Sequence, residues 1–175
     1  MNRGLIHIYC GDGKGKTTAA IGLAVRAAGR GMPVLIAQFI KGRDSGELHA
    51  LAKIPEITLL RGKAGDKFTF QMDERELQQT YDENSKLLLS AVEAARAGDC
   101  RLLVLDEIMG ALSTGTVDAD LLRSFVERKP AELELVLTGR NPPGWLVEAA
   151  DYVSEIQKRK HPFDRGIPAR EGIEL

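Results

Sequence analysis

Six short apolar runs, separated by longer amphipathic segments, restrict the fold of this chain more than any other feature. Apolar residues fill most of each run, which is typical of strands covered on both faces of a parallel sheet. The predicted strands are residues 5–10, 34–39, 57–60, 102–106, 133–138 and 152–156, and the predicted helices are 17–28, 47–53, 73–97, 118–127 and 145–150. This order predicts an α/β fold, a three-layer α/β/α sandwich with a mostly parallel sheet, in a single domain over residues 1–175.

Local signals mark the ends of two predicted helices. Asp73 stands where an N-cap is expected before the longest helix, and Gly98 follows that helix as its stop. Gly29 and Gly31 follow the first helix, and both are expected to end it in the left-handed conformation that glycine adopts at little cost.

Charge and composition exclude several functional classes. Among 175 residues, 24 Lys and Arg nearly balance 25 Asp and Glu, whereas a protein devoted to nucleic acid is usually more basic. Cys10 and Cys100 lie far apart in sequence and are predicted to be reduced thiols, and the three histidines are too scattered for a metal cage of His and Cys. The first apolar run is too short for a signal peptide or a membrane span. We therefore expect a cytoplasmic protein with neither nucleic acid nor membrane as a partner.

The strongest motif, G-D-G-K-G-K-T-T, joins the first predicted strand to the first predicted helix. Such a loop turns backbone N–H groups toward phosphate oxygens, and the following helix N-terminus adds partial positive charge. Lys16 is expected to reach the phosphates and the Thr17 hydroxyl to bind Mg²⁺. Cys10 stands where the usual pattern has its first glycine. The motif predicts a P-loop nucleoside triphosphate hydrolase fold, with ATP-binding residues Gly11, Asp12, Gly13, Lys14, Gly15, Lys16, Thr17 and Thr18.

A second motif supports nucleotide binding. The apolar run 102–106 ends in Asp106 and is followed by Glu107. Asp106 is expected to hold Mg²⁺ directly or through water, and Glu107 to do the same or to act as a base. The sequence lacks the N-K-x-D motif of guanine recognition, which favours ATP, and it shows no arginine-rich lid of a small-molecule kinase. Together the motifs predict binding of ATP with magnesium, without saying what is done to the ATP.

Other segments resemble one family in order along nearly the whole chain. They are Q-F-I-K-G at 38–42, F-T-F at 68–70, L-D-E at 105–107, T-G-R at 138–140 and K-H-P-F-D-R-G-I at 160–167. With the loop, they resemble the P-loop type of ATP:corrinoid adenosyltransferase, which acts on cob(I)yrinic acid a,c-diamide or cob(I)alamin. The first and last of these segments are much more specific than the loop, which many ATPases share.

The resemblance implies an unusual use of ATP. Enzymes of this family transfer the 5′-deoxyadenosyl group to Co(I) of a corrinoid and release triphosphate. Because Co(I) is a strong nucleophile, no protein base is required, and Lys14, Lys16, the loop amides and Mg²⁺ would stabilise the leaving triphosphate. The family is described as binding the nucleotide in reversed orientation, which would point C5′ toward the corrinoid.

The resemblance also implies roles for two aromatic residues. Phe68 and Phe70 lie in the polar segment 61–71, which lacks periodicity and is predicted to be a loop. In the family, aromatic residues at these positions help to displace the lower axial ligand of the corrinoid, which makes Co(II) easier to reduce. Phe70 stands where the family often has Trp. With Lys16, these two residues complete the predicted catalytic set.

Further predicted binding residues lie at strand and helix ends. By resemblance, Arg26 contacts the nucleoside, whereas Gln38 and Lys41 follow a strand at the sheet edge where α/β proteins bind ligands. Arg140 is expected to contact either phosphate or an amide arm of the corrinoid. The irregular tail 158–175 contains His161, Phe163 and Asp164, which are expected either to close over the site or to serve a dimer.

Partners and alternatives follow from the same reasoning. The chain has no flavin, haem or iron–sulfur motif, so an external reductant, expected to be a flavoprotein, must supply the electron that makes Co(I). The corrinoid would be cobyrinic acid diamide, cobinamide or cobalamin, and the family resemblance implies a homodimer. The alternatives are a P-loop ATPase or small-molecule kinase that cleaves the γ-phosphate, and a non-catalytic carrier of ATP or corrinoid.

Overall fold

A parallel sheet of six strands forms the middle layer of the molecule. A computed structural model describes residues 3–40, 44–62 and 69–174, with Phe70 described by its backbone alone. The strands are β1 (Ile6–Cys10), β2 (Val34–Gln38), β3 (Ile57–Arg61), β4 (Leu102–Asp106), β5 (Glu134–Thr138) and β6 (Tyr152–Glu155). They lie in the order β3-β2-β4-β5-β1-β6, and every neighbouring pair is parallel. The predicted parallel sheet is confirmed.

Helices cover both faces of this sheet. In the described ranges the α-helices are α1 (Lys16–Ala28), α2 (Gly46–Leu51), α3 (Glu74–Ala97), α4 (Ile108–Ser113), α5 (Ala119–Glu127) and α6 (Gly144–Ala149). Because successive strand residues face opposite ways, the buried apolar side chains divide into two clusters. Leu35 and Leu103 belong to the cluster under α3 to α6, whereas Ile36 and Val104 belong to the cluster under α1 and α2. The predicted three-layer sandwich is therefore confirmed.

Both ends of α3, the longest helix, follow the sequence signals. Asp73 Oδ1 accepts a hydrogen bond from the backbone N–H of Glu76 at 2.8 Å, and Glu76 Oε2 accepts one from the backbone N–H of Asp73 at 3.0 Å. This capping box satisfies N–H groups that have no partner within the helix. Gly98 ends the helix with φ 85°, in the left-handed region. The predicted cap and stop are confirmed.

Two local predictions require correction. Gly29 has φ −63°, so it continues right-handed, and the left-handed turn comes two residues later at Gly31, with φ 71°. Helix α4, which begins directly after the β4–Glu107 corner, was not predicted from the sequence. That helix has six residues, fewer than two turns, which is too short for helical periodicity to show.

The carboxyl ends of four neighbouring strands bring the predicted site residues to one edge of the sheet. Those strands end in Gln38, Asp106, Thr138 and Cys10, in the order in which the strands lie. Gln38 is directly opposite Asp106 in the register of β2 and β4. This edge is where open α/β sheets bind ligands. In the described part of the chain, we find no helix with the length and apolarity that a membrane crossing requires.

Candidate active site

The phosphate-binding loop connects β1 to α1 and is braced by the segment that follows β6. Gly13 donates its backbone N–H to the carbonyl oxygen of Ile156 at 2.7 Å, and Asp12 Oδ1 accepts the backbone N–H of Lys158 at 2.9 Å. A Cβ atom on Gly13 would lie 2.7 Å from that same Ile156 oxygen. A larger residue at position 13 would therefore push the segment around Ile156 away from the loop. The loop conformation therefore depends on a segment distant in sequence.

Cys10 stands where the usual phosphate-loop motif has its first glycine, and the loop conformation is nevertheless retained. Cys10 is the last residue of β1 and is buried, and Gly11 makes the left-handed turn with φ 102°. Gly15, with φ 121°, precedes α1 as its N-cap. The strand–loop–helix arrangement that the motif predicts is present.

Lys16 lies at the base of this loop. Its Nζ donates to the carbonyl oxygen of Gly13 at 2.9 Å. Burial lowers the pKa of the Lys16 ammonium, the Glu107 carboxylate opposes that lowering, and the Arg140 guanidinium adds to it. The Arg140 charge thus acts on the loop, and a contact of Arg140 with phosphate or with an amide arm of the corrinoid stays a prediction. An incoming polyphosphate would favour the charged form of Lys16.

Asp106, at the end of β4, is held by three side-chain donors. Its Oδ1 accepts hydrogen bonds from the hydroxyls of Thr138 at 2.7 Å and Thr17 at 2.9 Å, and its Oδ2 accepts one from Gln38 Nε2 at 3.2 Å. Asp106 is 1% exposed, and a charge buried to this degree needs such partners. The structure thus joins the phosphate loop to the acidic strand end, as the two motifs predict.

Glu107 follows in an uncommon backbone conformation that the same network stabilises. Its φ is 62°, in the left-handed region, and its backbone N–H donates to the Thr138 hydroxyl at 2.9 Å. Its side chain lines the cavity above the loop. Thr138 therefore contacts both acidic residues, a role that the sequence analysis did not assign to it. Its position at a strand end was visible, but the adjacency of β5 to β4 was not.

The three residues predicted to hold magnesium all carry oxygen donors. Asp106, Glu107 and the Thr17 hydroxyl supply the hard oxygen donors that Mg²⁺ prefers. Within the residues that the structure describes, no group of three or more His, Cys, Asp or Glu side chains is arranged to hold a metal ion. A few protein oxygens supplemented by water and phosphate are the usual surroundings of nucleotide-bound Mg²⁺.

A cavity of about 500 Å³ lies over the loop. It is lined by residues 13–18 of the loop, by Glu47 and Glu107, and by His161 and residues 172–174 of the tail. The volume is in the range of small-molecule sites, roughly 300–1,000 Å³. The presence of His161 in the wall agrees with the expectation that the tail closes over the site. Phe163, in contrast, is 74% exposed.

The structure does not bring every predicted residue to this cavity. Arg26 is in the last turn of α1, about 15 Å along the helix axis from Lys16 at 1.5 Å per residue. It lines a separate cavity of about 440 Å³ near Leu102 and Glu134, at the amino ends of β4 and β5. Gln38 is 1% exposed, and its amide contacts Asp106, so it positions that carboxylate. A nucleoside contact for Arg26 and a substrate contact for Gln38 stay predictions.

The predicted corrinoid contacts lie outside the described residues. Lys41 and Phe68 are not among the residues that the structure describes, and Phe70 is described only by its backbone, in a short 3₁₀ turn over Thr69–Gln71. Their assignments rest on the sequence resemblance.

Comparisons with known proteins agree with this geometry. Residues 2–175 match the family model for the ATP:corrinoid adenosyltransferases BtuR/CobO/CobP. The chain is 35% identical over 174 residues to a corrinoid adenosyltransferase of Pseudomonas aeruginosa, a match that covers 99% of this chain and 84% of that protein. It is 37% identical to one from a Sinorhizobium species, covering 99% of this chain and 81% of that relative. The Escherichia coli corrinoid adenosyltransferase is 30% identical, with 98% and 86% covered.

A solved structure supports the fold. A KaiC-like protein from Pyrococcus horikoshii superposes with a TM-score of 0.58 at 17% identity, covering 92% of this chain and 76% of that one. At this identity the likeness concerns the fold alone, and it supports the predicted P-loop nucleoside triphosphate hydrolase fold. The match of the family model to residues 2–175, together with the three relatives, shows that this chain belongs to the ATP:corrinoid adenosyltransferase family.

Proposed function

We propose that this adenosyltransferase moves the 5′-deoxyadenosyl group of ATP onto Co(I) of a corrinoid and releases triphosphate. The observation that carries the proposal is the family match over residues 2–175. The phosphate loop and the held Asp106 carboxylate give a site suited to the nucleotide. Family membership favours this reaction over γ-phosphate cleavage and over a carrier without turnover.

The reaction requires orientation and charge stabilisation rather than a protein base. The electron pair of Co(I) forms the bond to C5′, the C5′–O5′ bond breaks, and its electrons leave with triphosphate while cobalt becomes Co(III). Lys14, Lys16 and the loop amides face the leaving group and stabilise its charge. Reversed binding of the nucleotide, with C5′ outward, is part of this proposal.

Magnesium is the proposed cofactor. Thr17, Asp106 and Glu107 would hold the ion, which when bound supplies positive charge to the phosphate oxygens. The donor chemistry of these three residues supports this choice.

The remaining partners are proposals from the resemblance and the chemistry. Phe68 and Phe70 would displace the lower axial ligand of the corrinoid, and Lys41 would contact it. Reduction of Co(II) needs a one-electron donor that this sequence does not carry, which supports an external flavoprotein. We also propose a homodimer in the cytoplasm.

The identity of the products tests the proposed reaction. Wild-type protein, Lys16→Ala and the control Lys53→Ala, an exposed lysine in the turn after α2, would be mixed anaerobically with MgATP and chemically reduced corrinoid. We expect a light-sensitive carbon–cobalt bond and one triphosphate per turnover. Loss of the Lys16 charge should lower kcat by about 100-fold or more, the scale reported for removing one donor to a developing charge. Lys53→Ala should match wild type.

Each alternative gives a different result in this experiment. ADP or orthophosphate without a light-sensitive bond would indicate γ-phosphate cleavage. Product limited to one equivalent of protein would indicate a carrier. Either result would refute the proposed function.

A further inference from the structure

The segment 170–174 returns to the phosphate loop and places a carboxylate on it. Glu174 Oε1 lies 2.7 Å from Lys14 Nζ, and the same ammonium donates to the carbonyl oxygen of Ile173 at 3.2 Å. Gly172, Ile173 and Glu174 line the cavity above the loop. An acidic group of the chain itself therefore neutralises one of the loop cations.

Arg170 holds this carboxylate from the other side. Its Nε donates to Glu174 Oε2 and its Nη2 to Glu174 Oε1, each at 3.0 Å, and its backbone N–H also donates to Oε2 at 3.0 Å. Arg170 and Lys14 together keep the pKa of the Glu174 carboxyl well below its usual range, so the group stays charged. The Glu174 side chain is 20% exposed, less than the 47% of Lys14.

Lys14 and Arg170 together hold one anion at the phosphate loop, and Arg170 does so through two N–H groups. This pair of side chains has the chemistry of a phosphate site. Arginine binds carboxylate and phosphate through the same pair of parallel N–H bonds, and lysine binds either as a point charge. We propose that Lys14 and Arg170 form a subsite for an outer phosphate of the nucleotide, and that the Glu174 carboxylate competes with this phosphate for the same two side chains. This inference rests on the proposed use of ATP.

Binding of the nucleotide would then require exchange of one anion for another. Triphosphate carries more negative charge than a single carboxylate, so it displaces Glu174 and gains both cations. After transfer, Glu174 competes with the released triphosphate for the same two side chains. The segment thereby lowers the affinity of the site for polyphosphate.

Binding of inorganic tripolyphosphate to the whole protein tests this subsite without corrinoid. Calorimetric titrations at one ionic strength would compare wild type, Glu174→Gln and Glu171→Gln, an equal charge change at an exposed neighbour. We expect Glu174→Gln to bind about two- to fivefold tighter than wild type, the range that one partly exposed ion pair supplies. Glu171→Gln should bind like wild type. In the Glu174→Gln background, Arg170→Ala should reverse the gain.

Two outcomes would overturn the subsite. One is equal affinity of Glu174→Gln and Glu171→Gln, and the other is no loss when Arg170 is removed from the Glu174→Gln protein. Thermal melts of all variants identify any that do not fold. If the variants bind tripolyphosphate as expected but the wild-type protein forms no adenosylcorrinoid, the proposed function is contradicted and the subsite is left intact.

Discussion

Thr138 shows how much of the site depends on one buried hydroxyl. The group is 0% exposed, donates to Asp106 and accepts from the backbone N–H of Glu107. It therefore sets the direction of the Asp106 carboxylate and stabilises the left-handed backbone at Glu107. Asp106 is a proposed magnesium ligand, and a hydroxyl that orients such a ligand is a positioning group, since it acts through the ligand.

Replacement of Thr138 should weaken the magnesium-dependent part of ATP binding. We expect Thr138→Val, which keeps the shape and removes the hydroxyl, to lower MgATP affinity by about 10- to 100-fold, the range for residues that support a metal ligand. Thr138→Ser, which keeps the hydroxyl, should bind MgATP nearly as well as wild type. Calorimetric titration with ATP in the presence and absence of Mg²⁺ measures the effect. Equal losses in both conditions would mean that the threonine is only structural.

The Cys100 thiol predicts a pH dependence of stability. Burial, reinforced by the Asp99 carboxylate, raises the pKa of this thiol to about 11 from an ordinary value of 9.0. The unfolded chain therefore ionises first as pH rises, so stability present below pH 9 is lost between about pH 9 and 11. Wild type should lose up to roughly 2–3 kcal/mol more of its unfolding free energy than Cys100→Ala over this interval, at 1.36 kcal/mol per pKa unit. Parallel curves from denaturant titrations of the two proteins would contradict this assignment.

Among the helices, α3 has the clearest local origin. Its capping box and its glycine stop come from residues adjacent in sequence, so the sequence predicts its position closely. The strands β2 and β4 were equally predictable, because their continuous apolar runs indicate burial on both faces. Strand β6 was predicted at the right place, but all four of its residues are exposed, since it lies at the edge of the sheet. The short α4 and the contacts of the tail were not, since six residues carry little periodicity and the tail packs on residues far away in sequence.

Loss of the α3 cap should destabilise the protein moderately. Asp73→Ala removes the acceptor for the Glu76 N–H, and we expect about 1 kcal/mol less unfolding free energy, the usual cost of losing such a cap. Glu93→Ala, an exposed change near the other end of the same helix, is the control and should change stability by less than about 0.5 kcal/mol. Urea denaturation compares the two. A loss at Asp73 no larger than at Glu93 would show that the cap contributes little.

At the scale of the whole molecule, the sequence predicted the parts of the site that motifs carry. Lys16, Thr17 and Asp106 were expected at one sheet edge, and the structure brings them together. The contacts of Gln38 and Glu174 could be found only from the tertiary structure. The Gln38 amide reaches Asp106 because β2 lies beside β4, and Glu174 reaches Lys14 because the end of the described chain returns to the phosphate loop. Neither adjacency is visible in local patterns.

The brace between the phosphate loop and Ile156 has a consequence for synthesis of the protein. Strand β1 lies between β5 and β6, and the loop that follows it is fixed by the backbone just after β6. The ribosome makes the loop first and its structural neighbours last. A nascent chain that has emerged only as far as β4 contains every residue of the loop but neither strand beside β1. Nucleotide therefore cannot protect the growing polypeptide from aggregation or proteases until β6 and Ile156 have been made.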